Sequence, residues 1–229
     1  MIVFPAIDLK AGQVVRLSEG DMARATVYGD DPAAQAMLFA EAGSQFLHVV
    51  DLDGSFAGRA ENRAADRIVL PGVGSFRACA EGLRAIPHMV DAMAERVLVG
   101  GAPFLGICVG MQLLATSGVE HGVTPGLGWI DGEVRLIERT DPAIKIPHMG
   151  WNDVLPAPHA PLIEPGEAYF LHSYHFVPAD GHHVAAMTDH GGGLVAAVAR
   201  DNVVGVQFHP EKSQAYGLAL LSNFLDWRP

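Results

Sequence analysis

The chain has 229 residues, 49% of them hydrophobic and 18% charged, which allows a sizeable core and excludes global disorder. Its 15 Lys and Arg are outnumbered by 26 Asp and Glu, and the net charge of −11 argues against a nucleic-acid-binding surface. The two cysteines, Cys79 and Cys108, are too few for a disulfide framework and fit a reducing compartment.

Ile2–Leu9 reads as a buried strand and Gln13–Ser18 as a hairpin arm. Asp31-Pro32 opens a helix, with apolar positions at Ala36, Leu38, Phe39 and Ala42 and a stop at Gly43. Phe46–Leu52 is a second strand, apolar on both faces as parallel strands are, so the opening forms one β-α-β unit. Gly54–Arg63 reads as a loop. Arg67–Pro71 is a strand ending in Gly72-Val73-Gly74, followed by helical patterns over Ser75–Arg84 and Pro87–Glu95. Pro103–Cys108 is a strand that leads into a helix-like segment, Met111–Ala115.

Beyond about residue 125, short strands are separated by Gly, Pro and Asp turns: Gly132–Ile137, Gly150–Leu155, Glu167–Leu171, His183–Met187, Leu194–Ala199 and Val203–Phe208. Asp201-Asn202 makes a hairpin turn between the last two. Ala215–Trp227 is a closing helix. The sum is an α/β protein with a parallel sheet, flanking helices and antiparallel additions.

Gly106-Ile107-Cys108-Val109-Gly110 places a thiol between two small residues at a strand-to-helix junction. That spacing permits a sharp turn that lifts the side chain out of the sheet to a helix start, where a thiolate is favoured. Gln207-Phe208-His209-Pro210-Glu211-Lys212-Ser213 supplies a candidate base, His209, and a carboxylate to orient it, Glu211. Thiol, imidazole and carboxylate are the parts of acyl transfer by a cysteine nucleophile. The glycines of Gly72-Val73-Gly74 expose backbone N–H groups that could bind an oxyanion; a simple tight turn is the alternative. Cys79, with Phe76 and Leu83 at helical spacing, reads as a small core residue. The 11 histidines are scattered without a zinc-like spacing, so no metal and no cofactor are expected.

Leu70–Phe76, Pro103–Gln112, Pro147-His148-Met149-Gly150-Trp151-Asn152, Tyr169-Phe170-Leu171-His172-Ser173-Tyr174 and Gln207–Ser213 closely resemble class I glutamine amidotransferases. Within that class the Pro-His-Met-Gly-Trp-Asn and His-Pro-Glu-Lys-Ser segments resemble the glutaminase subunits of imidazole glycerol phosphate synthases, and the resemblance runs from about Ala64 to the C-terminus. It implies a cytoplasmic enzyme of histidine biosynthesis. In it Cys108 attacks the side-chain amide of glutamine, His209 shuttles the proton, Glu211 orients it and Gly72, Val73 and Gly74 form the oxyanion strand. It also implies that Gln112, Glu120, Tyr169, His172, Ser173 and Tyr174 contact glutamine or its surroundings. Ammonia would pass to a (β/α)8-barrel synthase subunit in a heterodimer, with Lys212 facing that partner. No nucleic acid or membrane partner is implied.

The opening residues depart from that family. Phe4–Gly12, Val27–Pro32 and His48–Gly54 resemble the start of the barrel isomerase that converts the formimino ribotide of the same pathway. The match spans residues 1–63, about a quarter of a barrel of ~250 residues, with the amidotransferase domain at 64–229. Asp8 matches that isomerase's base, but the acid partner and later phosphate loops are missing, so isomerase activity is not expected. The two strands of the opening unit are expected to fill the sheet positions that the family's own first strands would occupy. The alternative functional reading is a binding module whose catalysis is impaired by the foreign opening. Met1–Pro5 lacks the basic start of a secretion signal, and no apolar run reaches membrane-spanning length.

Overall fold

A computed structural model describes residues 6–18, 21–31, 34, 35, 38, 48–51, 67–139, 141, 142 and 144–229. The chain divides into two compact units, Met1–Asp66 with Pro87–Ala92 and Arg67–Ile86 with Met93–Pro229.

The first unit holds β1 (Ala6–Lys10), β2 (Gln13–Ser18), β3 (Asp21–Gly29) and β4 (His48–Asp51), in the order β3-β2-β1-β4. Ala11 and Gly12 both take positive φ (50° and 77°), the geometry of a two-residue turn whose twist suits a hairpin, and Lys10 pairs with Gln13 across it. β1 and β4 run parallel, with Asp8 opposite Val50, as the β-α-β reading requires. Asp31 caps a helix start as expected: its Oδ1 accepts from Ala34 N at 3.1 Å and its carbonyl from Gln35 N at 3.2 Å. Residues 34, 35 and 38 are helical, while Pro32, Ala36, Phe39, Ala42 and Gly43, the strand ends Ile2–Pro5, Phe46, Leu47 and Leu52, and the loop 54–63 lie outside the described residues.

One expectation is overturned here. β1 and β4 do not extend the main sheet of the chain. β1 has β2 on one edge and β4 on the other, and among the described residues no ladder joins this sheet to the larger one. The cause is the hairpin: once Ala11-Gly12 folds β2 back, and β3 after it, the opening segment completes a four-stranded sheet of its own. β3, nine residues long, was not legible in the sequence because its Asp-Met-Ala-Arg-Ala-Thr start lacks apolar alternation.

The rest of the chain, in order, forms β5 (Ile68–Gly72), α1 (Phe76–Ala85), α2 (Met89–Ala94) running on as a π-helical turn (Glu95–Val99), β6 (Phe104–Cys108) and α3 (Val109–Gln112). There follow β7 (Ser117–Gly118), β8 (Thr124–Pro125), β9 (Gly132–Leu136), β10 (His148–Pro156), β11 (Gly166–His172) and β12 (Tyr174–Pro178). β13 (Val184–Asp189), β14 (Gly193–Arg200), β15 (Val203–Val206) and α4 (Gln214–Asp226) complete the chain.

Seven strands make the main sheet, ordered β11-β10-β13-β14-β15-β6-β5. Only β5, β6 and β15 run parallel to one another; the other four are antiparallel additions. β12, β9, β7 and β8 form a smaller sheet. The fold class read from the sequence holds, with a shorter parallel part than expected.

Phe170, Phe208, Leu105, Val154, Leu220 and Phe224 are buried together, joining the main sheet to α4. Each such side chain contributes about 1.5–3 kcal/mol when fully withdrawn from water. Arg67 closes α4 by donating to Phe224 O at 3.0 Å and Trp227 O at 2.9 Å, which satisfies carbonyls the helix leaves open. α1 starts at Ser75, whose hydroxyl accepts from Ala78 N at 3.2 Å.

The helix after Cys108 ends earlier than its sequence suggested. α3 ends at Gln112 rather than running through Ala115: Leu114 N and Ala115 N turn to the nearer carbonyls of Met111 and Gln112 at 3.1 and 3.0 Å, and the following loop takes the next two carbonyls, Leu127 N donating to Leu113 O at 2.7 Å and Trp129 N to Leu114 O at 3.0 Å.

The close approach that shapes this region is testable. A Cβ at Gly110 would be driven into the Leu70 carbonyl oxygen of β5, which is backbone and cannot rotate away. Gly110→Ala is therefore expected to lower stability by about 1–3 kcal/mol, read as a reduced midpoint in chemical denaturation. Gly82→Ala, at a position with open space around its Cβ, serves as the control.

Candidate active site

The parallel strands β5 and β6 end together, with Gly72 opposite Cys108. Cys108 then turns to φ 54°, ψ −113°, a conformation that non-glycine residues adopt at a cost of about 1–3 kcal/mol. Three glycines make the turn possible. A Cβ at Gly106 would lie 2.6 Å from Gly110 O, one at Gly72 would lie 2.8 Å from Gly110 N, and Gly110 itself is pressed against Leu70. The thiol is thereby lifted from the sheet edge, as the Gly-x-Cys-x-Gly spacing predicted.

The second segment reaches the thiol from β15. His209 N donates to Tyr169 O at 2.9 Å, and Ser213 Oγ both donates to His209 O at 2.7 Å and accepts from Tyr169 N at 2.9 Å. With its backbone fixed, His209 places Nδ1 2.7 Å from Glu211 Oε1. A hydrogen bond to the Cys108 thiol, joined by the one to Glu211, outweighs burial and raises the pKa of His209 to about 9. Burial works against the Glu211 charge, but the His209 contact and nearby Lys212 keep its carboxyl below the ordinary range. At neutral pH the imidazole is a cation held between the Cys108 sulfur and the Glu211 carboxylate.

A cavity of about 370 Å³ opens above this group. Cys108 and His209 share its wall with Val73, Gly74, Gln112, Glu120, His172, Ser173, Tyr174 and Lys212. Gly72 lies behind the wall, packed on the elbow. Tyr169 is also placed elsewhere: its ring makes an edge contact with Trp151 at 6.1 Å and lies 5.9 Å below Lys212 Nζ. Glu120 is bound to protein, its Oε2 accepting from Phe76 N at 2.7 Å at the first turn of α1. Asp8, the residue matching the isomerase base, sits in the middle of β1, outside this unit. Among the described residues no group of three or more metal-ligating side chains is found.

The class-I glutamine amidotransferase model matches residues 39–227. This chain belongs to the class-I glutamine amidotransferases. The imidazole glycerol phosphate synthase subunit HisH of Zymomonas mobilis subsp. mobilis is 61% identical over 166 residues, 72% of this chain and 78% of the relative. Those of Rhodospirillum rubrum (60% over 170 residues, 72% and 79%) and Mesorhizobium japonicum (53% over 174 residues, 73% and 81%) are similar. A crystal structure of a glutamine amidotransferase shares the fold with a TM-score of 0.59 at 18% identity, covering 85% of this chain and 92% of that one. The chain is an enzyme subunit of the HisH group. The family match begins at residue 39, inside the segment that the sequence assigned to a different opening, and the HisH alignments do not carry the isomerase resemblance.

This amidotransferase contains polar side chains that sequence reading did not single out. Gln207 is fully buried. Its Nε2 lies 3.7 Å from Cys108 Sγ, and its Oε1 accepts from Gln112 Nε2 at 3.0 Å. Gln112 Nε2 also donates to Tyr174 O at 2.9 Å. Tyr174 O receives a second bond, from His172 Nδ1 at 2.9 Å. A carbonyl only accepts, so His172 carries its proton on Nδ1 and accepts through Nε2 from His148 Nδ1 at 3.0 Å. His148 Nε2 then accepts from Asn152 Nδ2 at 3.0 Å, and Asn152 also donates to Asp189 O at 2.7 Å. The signal for this network is the spacing of His148 and Asn152 on one face of β10, which becomes meaningful only once β11 brings His172 opposite His148.

Burial, with neighbouring histidines adding to it, lowers His148 to about 4 and His172 to about 3. Burial, then Arg135, lowers His175 to about 4. For these three the unfolded chain binds more protons between pH 6.5 and the folded values. Their stability contribution is complete above 6.5 and is lost as the pH falls toward 4 and 3. His209 has the opposite sign, contributing below 6.5 and losing its contribution as the pH rises through about 9. Denaturant unfolding measured from pH 4 to 10 is expected to show His148→Asn with a flatter acid arm and His209→Asn with a flatter alkaline arm than the parent.

Proposed function

We propose that the chain hydrolyses glutamine to glutamate and ammonia and passes the ammonia to a (β/α)8-barrel synthase subunit. That subunit would make imidazole glycerol phosphate and AICAR in histidine biosynthesis. The observation that carries this reading is the meeting of Cys108 and His209 at one cavity, with Glu211 bonded to the imidazole, in a chain of the HisH group.

The Cys108 thiolate attacks the side-chain amide carbon. Backbone N–H groups of the Val73–Gly74 strand receive the oxyanion, with Gly72 packing that strand on the elbow. Cationic His209, oriented by Glu211, gives its proton to the departing nitrogen, and ammonia leaves. Water then takes the place of the sulfur on the acyl carbon and glutamate is released. Gln112, Glu120, His172, Ser173 and Tyr174 surround the substrate, and Tyr169 acts from behind through its backbone hold on His209. We place this amidotransferase domain at residues 64–229 and read residues 1–63 as an isomerase-like segment without isomerase activity.

A heterodimer finds support on the outer face of β10 and β11. Met149 pairs with Leu171 and Trp151 with Tyr169, and Met149 and Trp151 are 64% and 47% exposed. Exposed apolar pairs beside Lys212 suit a partner surface. Among the described residues no helix is long and apolar enough to cross a membrane, and a cytoplasmic lyase partnership is part of the same reading.

Glutamate release from glutamine, measured with and without the barrel subunit, tests the proposal. Cys108→Ala should lose at least about 10³-fold of the activity while keeping the parent's denaturation midpoint. Ammonia release by that variant at the parent's rate would refute the mechanism. Trp151→Ala should weaken capture of the barrel subunit at least about tenfold in a titration, with its own stability unchanged.

A further inference from the structure

We propose that Gln207 is a catalytic residue: its side-chain N–H bonds Cys108 Sγ and stabilises the sulfur anion both when it attacks and when it is expelled. This rests on the glutaminase reading above.

The orientation of Gln207 is imposed from outside the site. Tyr174 O can only accept, so Gln112 must turn its NH2 toward it. That same NH2 has a second proton, which goes to Gln207 Oε1. With its oxygen engaged, Gln207 has only its NH2 left to face the sulfur, 3.7 Å away, a bonding distance for an atom of that size. The reverse orientation would set the Gln207 and Gln112 groups in repulsive contact. A buried amide N–H left without a partner is costly, and the Cys108 sulfur is the partner the Gln207 NH2 has.

The site has need of such a donor. α3 is four residues long and offers little macrodipole to a thiolate. His209 donates only while it holds its proton, and it gives that proton up to the leaving nitrogen. Gln207 has no proton to lose at any stage. In acyl-enzyme hydrolysis the water oxygen bonds the carbonyl carbon and its proton passes to His209. The carbon–sulfur bond then breaks, its electron pair stays on Sγ beside the Gln207 N–H, and the acid product departs. A donor that bonds a sulfur anion better than a thioester sulfur lowers the barrier to that expulsion.

The network has a consequence for Gln112 as well. Both of its amide protons are engaged internally, so the atom it can offer glutamine is Oε1, an acceptor.

The test uses the full-length protein. The rate of Cys108 alkylation by iodoacetamide is followed by peptide mass from pH 5 to 10 in the parent, Gln207→Met and Gln207→Glu. The methionine variant removes the donor without adding charge, and the glutamate variant keeps the shape and the oxygen facing Gln112 while setting a carboxylate oxygen against the sulfur. Both variants are expected to alkylate about tenfold more slowly at neutral pH, with the acid limb of the profile moved to higher pH. With the barrel subunit and glutamine present, the acyl-enzyme should accumulate in Gln207→Met. A profile superimposable on the parent's in a folded Gln207→Met protein would overturn the proposal. The alkylation arm needs neither glutamine nor partner, so failure of the glutaminase reading would show in glutamate release by the parent, and failure of this inference in the alkylation profile.

Discussion

The architecture of the site depends on backbone meeting backbone where β5 and β6 end. Gly110 lies against the Leu70 carbonyl, Gly72 against Gly110 N, and Gly106 against Gly110 O. None of these contacts leaves room for a methyl group. Because β6 cannot spread away from β5, the chain must leave the sheet sharply after Cys108, at positive φ. The strain at one residue is held by the parallel pairing on both sides, β5 at one edge of β6 and β15 at the other. That same β15 carries the chain on to Gln207 and His209. The nucleophile and the segment that carries its two donors thus leave a single three-strand unit, and β11 and β12 hold those donors in place through Tyr169 and Tyr174.

What was legible in the sequence follows from this. The elbow depends on glycines at fixed short spacing around a thiol, and such a local signal survives without knowledge of the fold. The His-Pro-Glu segment is equally local, since His209 and Glu211 are two residues apart. The capping of Asp31 and the turn at Asp201-Asn202 were readable for the same reason. Gln207 was not, although it opens the recognised segment. A buried glutamine carries no periodic signal, and its role depends on Gln112 and Tyr174 arriving from 95 residues and 33 residues away. The length of α3 was over-read because the residues after Gln112 are apolar and helix-compatible; competition from the loop at 127–130 for their carbonyls lies in tertiary structure. The separate sheet of the opening unit was misjudged because β-α-β topology constrains the hand of a crossover but not which edge a third strand takes.

Four histidines of one domain show how far environment governs the same side chain. His209 is nearly inaccessible, yet it is held cationic because its two ring nitrogens face the Cys108 sulfur and the Glu211 carboxylate, both acceptors for its protons. His148, His172 and His175 are buried with no such partner. His172 faces a carbonyl and another imidazole, and His148 that imidazole and an amide. A second proton on either would set two donors against each other, so the branch that runs from Tyr174 to Asn152 exists only in the neutral form. Tyr174 O therefore joins two chains of fixed polarity. One orders the amides toward the sulfur; the other orders the imidazoles toward β10. Because both chains take their direction from that single acceptor, protonating the imidazoles in acid would break the His172–His148 link while leaving His172 Nδ1–H on Tyr174 O and the amide chain, which does not titrate, in place. The nucleophile's surroundings are in this way insulated from proton uptake a few residues away, and the charge that chemistry requires is confined to His209.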